Sequence, residues 1–114
     1  MLALDSMKQY GANVEEGLTR CMKNEAFYLR LVSLVPKEEN FNKLKSSIES
    51  EDLDAAFDAA HALKGVTGNL ALTPLYDPIY EITELLRSRT RTDYSPLLGE
   101  ILEKKEQLEK MIQS

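Results

Sequence analysis

Apolar residues recur at three- and four-residue spacing along almost the whole chain, and runs of alternating β-branched residues are missing. That spacing is the period of one helix face, so the chain reads as all-α. With 114 residues, 43% of them apolar, 29% charged, and only 5 Gly and 4 Pro, it has the composition of a folded protein, neither disordered nor fibrous. The length suits one core, and a single domain over 1–114 is expected.

The periodicity divides into six helical segments. The first opens at Asn13 with Glu16 three residues on, a capping-box pattern, and carries Val14, Leu18, Cys21 and Met22. Asn24 caps a second over 25–35, which Pro36 must interrupt because it lacks an N–H and its ring clashes with the preceding turn. A third carries Phe41, Leu44 and Ile48. Ser50, Glu51 and Asp52 give an acidic start to a fourth, running to about Leu72. Thr73 and Pro74 open a fifth through Arg87, although Pro78 leaves a start at Asp77 open; the last begins near Asp93 to Pro96 with Leu98, Ile101, Lys105, Leu108 and Ile112 in its stripe. Short connections between amphipathic helices imply antiparallel neighbours. The expected architecture is an up-and-down four-helix bundle with a short additional N-terminal helix.

The charge and the rare residues exclude several functions. Lys plus Arg number 14 against 19 Asp plus Glu, a net −5, which argues against binding nucleic acid by neutralising phosphates. One His and one Cys do not make a zinc site of the usual kind, and Cys21 alone forms no internal disulfide. No stretch has the apolar length of a signal-peptide core or a membrane span, so a cytoplasmic protein with a reduced, structural Cys21 is expected.

The fourth segment holds the only histidine. At about 100° per residue, Asp54, Gly65 and Gly68 fall within roughly 40° of His61, Asp58 and Lys64 at roughly 60°, and Phe57 about 40° to one side. Ala56, Ala59, Leu63, Val66 and Leu70 take the opposite face, the one a bundle buries. His61 therefore sits at the centre of a polar face. A solvated surface histidine is the plain reading, but it leaves Gly65 and Gly68 unexplained, since each costs a helix interior about 1 kcal/mol relative to Ala. Close approach of another molecule explains both; packing against a neighbouring helix is the alternative for Gly68.

No serine, second histidine or cysteine lies nearby in sequence to build a hydrolytic triad. Metal binding by His61 with Asp54 and Asp58 is conceivable, although such carboxylates more often form a solvated helix start. The arrangement suits a nucleophilic imidazole accepting a phosphoryl group, with the Lys64 ammonium as a point charge beside the anion. Phosphoryl transfer asks mainly for positioning and charge neutralisation.

The string His61-Ala-Leu-Lys64-Gly65-Val-Thr-Gly68-Asn-Leu70-Ala71 resembles the signature of the histidine-containing phosphotransfer (HPt) domain. The likeness extends over essentially the whole chain, including an N-terminal helix with Val14, Glu16, Gly17, Leu18 and Arg20. It implies a carrier that takes a phosphoryl group from an aspartyl-phosphate receiver domain and passes it to another in multistep two-component signalling. His61 would be the acceptor through Nε2, Lys64 would steady the phosphoryl group, and Gly65 and Gly68 would clear the way for the receiver, with Phe57 in the contact. Mg²⁺ and the catalytic aspartate would belong to the partner, so the chain itself would need no cofactor and be no enzyme. A hybrid histidine kinase is a further possible partner, and a monomer is expected.

Two positions depart from the family's pattern. Ala71 stands where many members have a third glycine. Thr83 falls where members often hydrogen-bond the second imidazole nitrogen with a longer side chain; it either orients His61, with a water or Lys64 substituting where its shorter side chain does not reach, or is an exposed surface residue. Arg87, Arg89 and Arg91 would steer an acidic receiver or simply lie in a solvated loop. Two other readings stay open: an HPt-like module that docks receivers or kinases without accepting phosphate, and a portion of a larger hybrid or chemotaxis-type kinase.

Overall fold

The computed structural model describes residues 2–114; Met1, the first residue of the expected domain, lies outside them. The chain forms α1 (Leu4–Tyr10), α2 (Val14–Arg20), α3 (Glu25–Leu34), a 3-10 turn (Val35–Lys37), α4 (Glu39–Glu49), α5 (Leu53–Asn69), α6 (Thr73–Arg87) and α7 (Ser95–Gln113). No strand occurs among the described residues. In the bundle, α5 packs against α4 on one side and α6 on the other, and α7 packs against α6. The connections are too short for anything but antiparallel neighbours, which gives the up-and-down arrangement.

Local chemistry sets the starts. Asn13, Asn24 and Asp52 each accept a backbone N–H three residues on with the side-chain oxygen, from Glu16, Phe27 and Ala55 respectively. Pro36 is absorbed in the 3-10 turn between α3 and α4. The regular helix of α6 starts at Thr73, with Leu72 as its cap, and not at Asp77. Pro74 occupies an early position whose N–H has no helical partner, and Pro78 removes one helical bond while burying its ring.

Three short helices precede the bundle, one more than the capping patterns mark. Two of them were legible, but α1 has no side-chain cap, its N-cap being Ala3. Its anchor is Met7, fully buried. The three are tied to the bundle by polar contacts as well. The Tyr10 hydroxyl donates to the Lys104 carbonyl of α7 at 2.8 Å, Tyr28 donates to the Leu70 carbonyl at 3.1 Å, and the Asn13 N–H to the Ala71 carbonyl at 3.0 Å.

The core runs through all of these elements. Phe41, Leu44, Leu63, Leu75, Ile79, Ile82, Ile101 and Leu108 are fully buried, each stabilising the fold by about 1.5–3 kcal/mol of transferred apolar surface. On α5 the buried set is Ala56, Ala59, Ala60, Leu63 and Thr67. This face fixes the rotation of α5 about its axis and so turns His61 outward.

Candidate functional site

His61 is exposed on α5, and its neighbours come from three helices. Beside it lies an open cleft of about 400 Å³ lined by Glu16 and Arg20 of α2, His61, Lys64 and Gly65 of α5, and Tyr76 of α6. The α2 rim exists because Gly17 brings that helix against the bundle. A Cβ there would run into the Tyr28 ring and lie 2.8 Å from the Leu70 carbonyl oxygen. Glu16 and Arg20 form an i,i+4 pair on the outer face of the same helix, 3.3 Å apart.

The two glycines of the motif differ in their surroundings. A Cβ on Gly65 would meet nothing within 4 Å, whereas one on Gly68 would lie 3.0 Å from Cε1 of Tyr76. Gly68 thus makes room for a ring of α6, the packing role left open for it in the sequence. Among the described residues Gly65 has no such partner, and it leaves bare backbone one turn beyond the imidazole.

Lys64 is half-buried on the α6 side of the face. Its ammonium lies 3.9 Å from a Glu84 carboxylate oxygen and 5.0 Å from the centroid of the Tyr80 ring. Glu84 also holds the Arg87 guanidinium at 3.2 Å. The face around His61 therefore carries two cations gathered on one carboxylate. A phosphoryl group is a stronger acceptor than a shared, partly exposed carboxylate, and such surface pairs contribute at most about 1 kcal/mol.

On the other flank Phe57 stacks against His61, with ring centroids 5.5 Å apart and planes inclined by 28°. The guanidinium groups of Arg87 and Arg89 each lie 5.1 Å from the centroid of Phe57. Arg89 is fixed by Asp54 at 2.7 Å and by the Leu86 carbonyl at 2.5 Å. These arginines are consequently part of the histidine face and not a detached loop. Asp54, considered above as a metal ligand, is engaged with that guanidinium.

Thr83 requires a correction. It is fully buried, so it is not a surface residue, and its hydroxyl donates to the Ile79 carbonyl at 2.6 Å. Its side chain lies among core residues, and among the described residues no hydrogen bond joins it to the imidazole. The residues that α6 brings to the histidine face are Tyr76, Tyr80, Glu84 and Arg87. Their spacing marks the outward stripe of an amphipathic helix, which is the signal that could have found them.

A family model described as the Hpt domain matches residues 37–114, from the end of the 3-10 turn through α7. No curated protein and no solved structure matches the chain.

Proposed function

The chain belongs to the Hpt domain family, whose work is histidine phosphotransfer in phosphorelay signalling, and on that premise we propose that it carries a phosphoryl group on His61 between receiver domains of a multistep relay. The observation that carries this reading is the environment of the imidazole: exposed, beside open backbone at Gly65, with Lys64 one turn away. As the receiver's acyl phosphate meets His61, an imidazole nitrogen forms the N–P bond while the P–O bond to the aspartate breaks. The aspartate leaves as a carboxylate. Transfer onward reverses the exchange on a second receiver.

Lys64 neutralises the transferred anion, and Mg²⁺ together with the phosphoryl-bearing aspartate belongs to the receiver. The chain is thus a carrier whose chemistry is completed by its partner, working in the cytoplasm. No helix among the described residues is long and apolar enough to cross a membrane. We take 1–114 as one such domain, with α1 to α3 as part of it, because Met7, Tyr10 and Tyr28 are built into the bundle.

The test is transfer from a panel of phosphorylated receivers of the same organism. Rapid labelling of the wild type by at least one receiver, slow labelling by acetyl phosphate and none of His61→Gln is the expected pattern. Receivers that bind without losing phosphate would instead favour a docking module.

A further inference from the structure

We propose that Phe57 is a positioning residue for His61: stacking on its ring sets the plane in which the imidazole presents its nucleophilic nitrogen. This rests on the phosphotransfer reading above and deepens it.

An imidazole on an exposed helix face has a broad terminal torsion, because χ2 of histidine lacks the sharp wells of an sp³–sp³ bond. Something must select one orientation if a phosphorus atom is to meet one nitrogen in line, and near-attack geometry is worth a large factor in rate. A hydrogen bond from the facing helix is the expected device, and Thr83 is buried with its hydroxyl on Ile79. The contact the structure does give the imidazole is the Phe57 ring, one helical turn earlier, at 5.5 Å and 28°.

Phe57 is itself held in place. The guanidinium groups of Arg87 and Arg89 both lie over its ring at 5.1 Å. Arg89 is anchored in turn by Asp54 and the Leu86 carbonyl. Arg87 of α6 and Arg89 of its C-terminal turn thus flank a ring that also packs against the core and stacks on the imidazole. A phenylalanine serving docking alone needs neither the stack nor the anchored cations.

Two substitutions separate positioning from docking. Phe57→Leu keeps apolar bulk on the surface and loses the stack; Phe57→Tyr keeps the ring. The first donor is phosphoramidate, which needs no protein docking: its P–N bond breaks, the new N–P bond forms at His61, and ammonia leaves with the imidazole proton. Phe57→Leu should be labelled about threefold to tenfold more slowly than the wild type, the range that one aromatic contact supports, with Phe57→Tyr close to the wild type. With a phosphorylated receiver as donor, the maximal rate of Phe57→Leu should fall as well, beyond any change in the half-saturating receiver concentration that a lost docking contact brings. Equal labelling of Phe57→Leu and wild type by phosphoramidate, or a change in the half-saturating concentration alone, overturns the proposal.

A third readout uses no donor. Three-bond couplings at the His61 side chain should report one rotamer in the wild type and averaging in Phe57→Leu, and averaged couplings in the wild type overturn the proposal. If neither donor labels the wild type, the phosphotransfer reading itself has failed, while the couplings still decide whether Phe57 orients the ring.

Discussion

Gly65 and Gly68 show how differently two residues of one short motif act. Gly65 lies inside α5 and Gly68 in its last turn; within a helix Ala is preferred by about 0.5–1 kcal/mol. A Cβ at 65 enters open space, so Gly65→Ala should stabilise the fold by about that amount and raise Tm by a few degrees. The same methyl group stands where a docking receiver would approach, and a higher half-saturating receiver concentration should accompany the gain. At 68 the methyl group meets the Tyr76 ring at 3.0 Å, so Gly68→Ala should gain less stability or lose some. Thermal melts of the two variants side by side check the contrast. That His61, Lys64 and Gly65 share the face turned away from the core was legible in the sequence, because a helical projection with a clear apolar stripe fixes which way each side chain points. The same projection leaves Thr83 undecided: it falls about 40° beyond Ile79 at the helix pitch, outside the stripe of Leu75, Ile79, Ile82 and Leu86, and its burial comes from the packing of neighbouring helices. What the projection could not supply was distance between elements. The Phe57–His61 stack joins residues one turn apart, but the arginines above it come from the far end of α6, which bundle packing alone brings near.

The helix ends carry a regularity that the sequence concealed. After α5, the Leu72 N–H bonds the Thr67 carbonyl at 3.0 Å and the Ala71 N–H bonds the Gly68 carbonyl at 3.1 Å, a Schellman closure with Ala71 at φ 53°. The same pair of bonds closes α4 at Glu51, φ 60°, and α6 at Arg89, φ 51°. Glycine is the usual residue in this left-handed conformation and the usual sign of a helix end. These closures lack it, so the ends had to be inferred from the capping residues of the next helix. That worked for α5, whose start at Asp52 is well marked, and failed for α1, which has no side-chain cap. At Ala71 the departure from the family's glycine acquires a physical meaning, because the position demands a positive φ. Ala71→Gly should stabilise the protein by about 1 kcal/mol, relief of left-handed strain outweighing the greater entropy of glycine in the unfolded chain. The urea midpoint should rise with an unchanged m value.

Across the whole molecule, two phenols tie the N-terminal helices to the bundle. Burial pushes the Tyr10 hydroxyl well above the ordinary tyrosine range, and it pushes Tyr28 up to about 12, with a smaller contribution from Cys21. The folded chain thus holds protons that the unfolded chain releases near pH 10. The resulting stabilisation is fully present below pH 10 and is lost as pH rises from there toward about 12. Tyr28→Phe should flatten that alkaline decline. At neutral pH it should cost about 1–2 kcal/mol by leaving the Leu70 carbonyl without its buried donor, and denaturation at several pH values checks both effects. The all-helical class and the four long helices were legible from periodicity alone, whereas the attachment of α1 to α3 was not, because hydroxyl-to-carbonyl contacts over such separations leave no local pattern. What the assembled molecule offers a partner is one exposed imidazole. The most direct test of its role is a ³¹P spectrum recorded after incubation with a phosphorylated receiver and Mg²⁺. The account predicts a single phosphohistidine resonance, labile to acid, stable to base and absent from His61→Gln; phosphate that stays on the receiver, or a resonance that survives in His61→Gln, would contradict it.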